Sequence, residues 1–140
     1  MKKVILNKCY GGFDVSIKAT LAYAKKKHLK VSIYKRNFNN HSITYSLVSP
    51  KIVKDDGFLK YAVATKYHGR VANNLPPEDI LDLDGKYRED ATLIEVVEKL
   101  GKEANTIISD LRVVEIPDDL DYMIDNYDGI ETLHQRVQEW

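Results

Sequence analysis

The spacing of hydrophobic residues at the start of the chain predicts a buried strand followed by a helix. The apolar run at 4–6 is short and ends in polar residues, as a buried strand does. After the glycine pair at 11–12, apolar residues return at helical spacing over 16–28, and Ser16 is a good N-cap for this helix. The residues expected on its inward face are Ile17, Leu21, Ala24 and His28.

Three further runs alternate polar and apolar residues with a period of two, which predicts strands. Residues 31–36 and 43–48 flank a turn-rich segment and are expected to form a β-hairpin. Residues 61–67 repeat the pattern after a second turn at 55–57. Strands in this order, joined by turns, are expected to form an antiparallel meander.

The second half of the chain predicts a loop, a helix and a strand in that order. The proline pair within 68–77 predicts a loop, because proline cannot donate to a β ladder. Asp90 or Thr92 is expected to cap a helix that continues to about residue 104. Residues 111–116 are the clearest strand in the sequence. The inward face of this second helix is expected to consist of Leu93, Val96, Val97 and Leu100.

The C-terminal segment completes an α+β prediction. Pro117 followed by Asp118 is typical of the start of a short helix, and 126–129 of a turn. Residues 130–140 fit either a helix or an edge strand. Taken together, the elements predict a single domain over 1–140, with a mostly antiparallel sheet and two main helices packed on one of its faces.

Composition narrows the class of protein. The chain has 140 residues, of which 44% are hydrophobic and 30% charged, as in ordinary folded domains. Its only cysteine is Cys9, which excludes a disulfide framework and an all-cysteine zinc site within one chain. No apolar run approaches the roughly 18 residues of a membrane span, so we expect a cytoplasmic protein with no membrane contact.

The charges are divided unevenly along the chain. Residues 1–70 contain 15 Lys and Arg against three Asp, a net charge of +12, whereas residues 71–140 contain six Lys and Arg against 18 Asp and Glu, a net charge of −12. Three interpretations are open. The two halves could pack together and compensate each other, two copies of the chain could associate basic face to acidic face, or the basic half could collect an anionic ligand.

The segment after the first strand has the layout of an anion site. Backbone amides of the Gly11-Gly12 turn and of the helix start at Ser16 could converge on a phosphate, and Tyr10 or Phe13 could stack on a base. The spacing matches neither a Walker loop nor a dinucleotide fingerprint. The alternative is a tight strand-to-helix turn in which the glycines supply positive φ angles.

Arginines and amides elsewhere are further candidates for ligand contacts. Arginine binds phosphate with two parallel hydrogen bonds and stacks on bases, and paired amides suit a base edge. An ordinary surface ion pair is the alternative for each arginine. Nine tyrosines add side chains suited to an interface or a stacking pocket. The candidates are Arg36, Arg70, Arg88, Arg136, Asn73 and Asn74.

The sequence offers no catalytic or metal-binding constellation. Cys9 as a nucleophile would need a neighbouring base, and no motif ties a histidine to it. The acids between 118 and 131 do not follow the spacing of a calcium loop. We therefore predict no catalytic residue, no metal ligand and no cofactor.

Both ends of the sequence contain a distinctive set of segments. They are Leu6-Asn-Lys-Cys-Tyr-Gly-Gly-Phe13, Glu98-Lys-Leu-Gly101, Leu111-Arg-Val-Val-Glu-Ile-Pro-Asp-Asp119, Tyr127-Asp-Gly129 and Trp140. Together these segments resemble a family of small phage and prophage proteins, whereas the central part, about 35–80, carries no such resemblance. Where that family often closes on a basic pair before its final Trp, this chain ends Arg136-Val-Gln-Glu-Trp140.

The resemblance implies a phage origin, and the family commonly has no assigned activity. By analogy of class and size, the implied function is that of the phage sponges, such as anti-Thoeris and anti-CBASS proteins, which bind cyclic nucleotide immune signals without turnover. The expected partners are a small nucleotide and further copies of the chain, in the cytoplasm of an infected bacterium, with no sequence-specific nucleic acid. Two alternatives stay open: inhibition of a host protein through the acidic C-terminal half, and a small nucleotide-processing enzyme using Cys9 or His134.

Overall fold

The computed structural model describes residues 1–50 and 60–136, and its fold is α+β. The helices are α1 (Ile17–Lys26) and α2 (Ala91–Leu100). The strands are β1 (Lys2–Asn7), β2 (Ser32–Phe38), β3 (Ile43–Val48), β4 (Tyr61–Ala64), β5 (Val71–Ala72), β6 (Leu111–Ile116), β7 (Tyr122–Tyr127) and β8 (Ile130–Gln135). All the strand pairs among them are antiparallel.

The centre of the fold is the pair β1–β6, which is covered on both faces. Because side chains alternate along a strand, Ile5 points to the face on which α1 and α2 pack, while Val4 and Leu6 point to the opposite face. The opposite face is covered by the β7–β8 hairpin. Burial on both faces explains why β1 is apolar without alternation.

The helix α1 begins as predicted, and Ala24 is buried as predicted, but the rest of its buried face differs from the prediction. The Ser16 side chain accepts a hydrogen bond from the Ala19 amide, which confirms the N-cap. The buried residues are Ala19, Thr20, Tyr23 and Ala24. The prediction of an inward His28 is wrong, because the helix ends at Lys26 and His28 is exposed with a φ of 57°.

The helix α2 is confirmed, with Asp90 as its cap. The Asp90 carboxylate accepts a hydrogen bond from the Leu93 amide at 3.0 Å. The helix ends at Leu100, before the predicted residue 104, because Gly101 caps it with a φ of 58° that suits glycine and a 3₁₀ turn follows over 101–104. Leu93, Val96 and Val97 face the core as predicted.

The four-stranded sheet has the order β4-β2-β3-β5. The predicted hairpin is confirmed as β2–β3, but the predicted meander is wrong, because β4 pairs with β2 and not with β3. The outer edge of β3 is taken by β5, a two-residue strand inside the predicted loop at 68–77. The turn expected at 55–57 lies outside the described residues.

The C-terminal part is a hairpin and not a helix. Pro117 starts only a turn, in which its carbonyl accepts from the Leu120 amide. The residues that follow alternate, so that Tyr122 and Ile124 pack on β1–β6 and Met123 faces outward, which is the pattern of a strand. Of the two alternatives predicted for 130–140, a strand is the one found, over Ile130–Gln135, and 137–140 lie outside the described residues.

The uneven charges compensate each other within the chain. Among the described residues, five ion pairs join a lysine of the basic half to an acid of the acidic half, with N···O distances between 2.7 and 3.8 Å. Packing of the two halves against each other therefore brings part of the opposite charge together within the chain. The pairs are Lys2–Glu89, Lys3–Glu98, Lys18–Glu103, Lys26–Glu95 and Lys66–Asp79.

Candidate functional site

The structure distributes the eleven predicted ligand-binding residues over several regions. Tyr10, Gly11, Gly12 and Phe13 lie with Arg88 near the ends of β1 and β8, and Ser16 caps α1. Arg136 follows β8, where its guanidinium pairs with Asp121 at 3.3 Å. The remaining four candidates lie on or beside the four-stranded sheet and are Arg36, Arg70, Asn73 and Asn74.

The Gly11-Gly12 turn packs against the turn between β7 and β8. The Gly11 amide donates to the Asp128 carbonyl at 2.9 Å. A Cβ atom on Gly129 would lie only 2.5 Å from the Gly11 nitrogen, and Gly11 and Gly129 have φ angles of 132° and 97°. Close backbone approach and positive φ therefore require glycine in both turns.

The start of α1 is covered by the 3₁₀ turn at 101–104. Ser16 is fully buried, and its hydroxyl donates to the Glu103 carbonyl at 2.7 Å. Its backbone amide donates to the Ala104 carbonyl at 3.0 Å. Protein oxygens thus occupy the positions in which the sequence pattern would place an anion.

Asn7, Arg88 and Glu131 form a buried polar centre between β1, β8 and the segment before α2. The Glu131 side chain is 5% exposed and that of Arg88 17%. The two Glu131 carboxylate oxygens accept hydrogen bonds from the Arg88 guanidinium at 3.1 and 2.9 Å. One of them also accepts a hydrogen bond from the backbone amide of Asn7 at 2.8 Å. Further Arg88 donors reach the carbonyls of Ile5 and Gly85, and the guanidinium lies 5.2 Å from the centre of the Phe13 ring.

The Asn7 side chain ties this buried polar centre to three loops. Its Nδ2 donates to the carbonyls of Cys9 and Gly129, and its Oδ1 accepts from the Asp110 amide. Asn7 is fully buried, so each of these bonds replaces one to water. The sequence segments at 6–13, 111–119 and 127–129, on which the resemblance is based, are consequently neighbours in space.

A groove lies between the end of the β2–β3 hairpin and the segment after β5. It has a volume of about 530 Å³, within the range of small-molecule sites. Phe38 and Ile43 are opposite each other in the strand register, so their side chains share one face of the sheet. They are 63% and 41% exposed. We call this the hairpin groove; its lining consists of Phe38, Asn39, Asn40, His41, Ser42, Ile43, Tyr45, Asn73 and Asn74.

Sequence reasoning found only part of the hairpin groove. Asn73 and Asn74 were candidates because they are paired amides. The aromatic surface of Phe38 was treated as part of a turn, and only the pairing of β5 with β3 brings the two amides beside it. The turn-rich run 37–42, with one aromatic residue among polar ones, was the available signal.

A second cavity, of about 350 Å³, lies between α1, β4 and the segment 77–83. Arg36 lines it together with Asp14 and Asp82, and Arg36 is also opposite Tyr45 in the β2–β3 register. Of the arginines predicted to contact a ligand, Arg36 is therefore the one whose strand position lies closest to the hairpin groove, because its register partner Tyr45 lines that groove. Arg70 directly precedes β5 and is exposed, and its carbonyl accepts from the Leu47 amide.

The residues considered for catalysis have no shared geometry among the described residues. Cys9 is a partly buried free thiol, and no hydrogen bond joins its sulfur to a histidine in residues 1–50 and 60–136. His134 pairs with Asp125 at 2.9 Å on the outward face of the β7–β8 hairpin. In the same described ranges, no three His, Cys, Asp or Glu side chains are grouped to hold a metal ion. Neither of the two described helices, at ten residues each, is long and apolar enough to cross a membrane.

No protein-family model, curated protein or solved structure matches this chain.

Proposed function

We propose that this protein binds a small nucleotide in the hairpin groove and releases it unchanged. The observation that carries the proposal is the combination of an exposed phenylalanine ring with four asparagine side chains in one groove. Within the described residues, the side-chain amides of those four asparagines have no hydrogen bond to protein. The groove thus offers a stacking surface and solvent-exposed amide groups in the same place.

Stacking on an aromatic side chain supplies affinity for any base. Such contacts contribute roughly 1–3 kcal/mol per base in proteins that bind single-stranded nucleic acids. Amide side chains add hydrogen bonds to a base edge, which fix the orientation of the ligand. The described residues that line the groove include neither a thiol nor a carboxylate, and the imidazole among them, that of His41, lies among amides and a hydroxyl. This composition favours binding over chemical conversion.

The resemblance to phage proteins gives the proposal its biological setting. A phage protein that binds a nucleotide without turnover would act as a sponge for a cyclic nucleotide immune signal in the host cytoplasm. If several copies of the chain associate, each oligomer would hold several ligands. We propose the sponge function together with a phage origin and an oligomeric state.

Native mass spectrometry tests the proposal directly. The protein is purified from cells with an active nucleotide-based defence, and its bound ligand is identified before and after denaturation. We expect a released nucleotide of unchanged mass. Isothermal titration with a panel of cyclic dinucleotides, cyclic trinucleotides and cyclic ADP-ribose isomers then gives affinity and stoichiometry.

Phe38→Ala and Tyr67→Ala form a matched pair of variants for the titration. Both remove an exposed aromatic ring, and their exposed fractions are 63% and 64%. Only Phe38 lines the hairpin groove. We expect Phe38→Ala to weaken binding about tenfold or more and Tyr67→Ala to leave it unchanged. Absence of binding across the whole panel, or an equal effect of the two variants, would refute the proposed function.

A second candidate function is inhibition of a basic host protein through the acidic C-terminal half. The observation that favours it is the outward face of the β7–β8 hairpin, where Met123 and Tyr127 are exposed beside Asp125. Three exposed aspartates, Asp118, Asp119 and Asp121, precede β7, and two of them have partners: Asp118 pairs with the N-terminal amine and Asp121 with Arg136. Replacing these three aspartates by asparagine should abolish capture of the host protein and leave nucleotide binding intact. Retained capture would exclude this candidate.

A further inference from the structure

We infer that the hairpin groove recognises the neutral base of its ligand and not the phosphate, and that the preferred base is adenine. This inference rests on the proposed function, because it specifies which ligand the same groove takes. It follows from the chemical groups that line the groove and from the groups that are missing from it.

Among the described residues, the lining contains no group with a fixed charge. Its polar atoms come from four asparagine amides, the Ser42 hydroxyl and the His41 imidazole, and no lysine, arginine, aspartate or glutamate is among the nine lining residues. Proteins that bind phosphate tightly use arginine, lysine or converging backbone amides, with charge-assisted bonds. A phosphate placed in this groove would gain no charge-assisted bond from the described lining. The charged part of the ligand is therefore expected outside the groove.

The apolar part of the groove fits a flat ring. Phe38 and Ile43 lie side by side on one face of the sheet, and Tyr45 follows Ile43 on the same face. Tyr45 is opposite Ala72 in the β3–β5 register, so a small side chain leaves room beside its ring. A two-ring base covers more of such a surface than a one-ring base does. This favours a purine.

The amides select among purines. An asparagine side chain presents one donor group and one acceptor, which match the N7 acceptor and the N6 amino donor of adenine. Guanine presents two acceptors, N7 and O6, on the corresponding edge, and arginine or lysine is the usual partner for them. Asn73 and Asn74 stand next to each other at the rim of the groove, opposite the hairpin end. Adenine is therefore the base that this lining satisfies best.

The test compares four small probes by isothermal titration with the full chain: adenosine, AMP, guanosine and inorganic phosphate. Because the groove binds the base, adenosine and AMP should bind within about threefold of each other, and guanosine about tenfold more weakly. Phosphate alone should not bind. Raising NaCl from 50 to 300 mM should change the affinity for AMP less than twofold, since no fixed cation in the groove contacts phosphate.

The double variant Asn73→Ala with Asn74→Ala links the base preference to the amides. It should reduce the difference in affinity between adenosine and guanosine to about threefold or less. Tyr67→Ala should retain the full difference in affinity. Both variants are compared with the parent chain by circular dichroism to confirm that they are folded.

Two results would overturn the inference while leaving the proposed function in place. In the first, AMP binds more than tenfold tighter than adenosine and its affinity falls steeply as salt is added. The phosphate would then be part of what the groove recognises. Guanosine binding as tightly as adenosine would exclude recognition by the amides. Failure of all nucleosides and nucleotides to bind, cyclic ones included, would overturn the proposed function together with this inference.

Discussion

Replacement of Glu131 by glutamine is expected to destabilise the protein by about 3 kcal/mol. The Glu131 carboxylate accepts three hydrogen bonds, two from the Arg88 guanidinium and one from the backbone amide of Asn7. Glutamine keeps the shape and one acceptor oxygen, but it turns an NH₂ group toward an Arg88 donor. The variant therefore loses at least one charge-assisted bond, which contributes roughly 1.5–3 kcal/mol. It also leaves a guanidinium that is 17% exposed without its counter-ion. Breaking a buried pair in this way typically costs about 3–5 kcal/mol.

The assay is urea denaturation at pH 7, followed by far-ultraviolet circular dichroism. Urea is uncharged, so the ion pair is not screened during the measurement. Arg112→Gln is the matched control, because Arg112 also makes two hydrogen bonds to a carboxylate, that of Asp110, but at 65% side-chain exposure. An exposed pair of this kind contributes about 0–1 kcal/mol.

A double variant separates the pair from its surroundings. Glu131→Leu combined with Arg88→Met removes both charges, so the cost of burying them disappears as well. We expect the double variant to be more stable than the sum of the two single losses predicts, by about 1.5 kcal/mol or more. A loss below about 0.5 kcal/mol for Glu131→Gln, or one no larger than that of Arg112→Gln, would refute the reasoning.

Two further predictions concern the turns and the tyrosines. Gly129→Ala should destabilise the fold by about 3 kcal/mol or more, because its Cβ would overlap the Gly11 backbone at 2.5 Å at a φ of 97°. Gly101→Ala, with a φ of 58° and open space around the new Cβ, should cost only about 1 kcal/mol in the same urea assay; equal losses would contradict the argument. Burial and a 2.7 Å hydrogen bond to Glu89 raise the pKa of Tyr122 from 10.0 to about 12. Between these values the unfolded chain has lost a proton that the folded chain retains, so stability should fall as the pH rises from 10 to 12. Tyr122→Phe should remove one late-titrating tyrosine from the absorbance titration at 295 nm and lessen this fall; an unchanged titration curve would show that Tyr122 ionises normally.

Elements with strong local signals were predictable from the sequence. The caps of both helices are single side chains, Ser16 and Asp90, that bond to an amide three residues further along the chain. The β2–β3 hairpin follows from alternation over six or seven residues, and the strand at 111–116 from its concentration of apolar residues. Each of these signals acts within one turn or one strand, so no knowledge of distant contacts was needed.

Features that depend on distant contacts were not predictable. Pro117 begins a turn with good helix-starting residues, yet the following segment is a strand because its alternating face covers β1–β6. The position of β4 beside β2 depends on which sheet edges are occupied, a property of the whole sheet. In the hairpin groove, Asn73 and Phe38 are 35 residues apart in sequence and come together only through that strand order.

The buried polar centre has a consequence for biosynthesis. Asn7 bonds to Glu131, 124 residues further along the chain, and β1 pairs with β6 from the same distant half. At about 5–20 residues per second, the ribosome needs roughly 6–25 s to deliver the second partner after the first. During that interval Val4 and Leu6 lack the β7–β8 hairpin that covers them in the finished fold. The nascent chain therefore exposes these apolar side chains of β1 until β6, β7 and β8 have been synthesised, and we expect chaperones to bind there in the meantime.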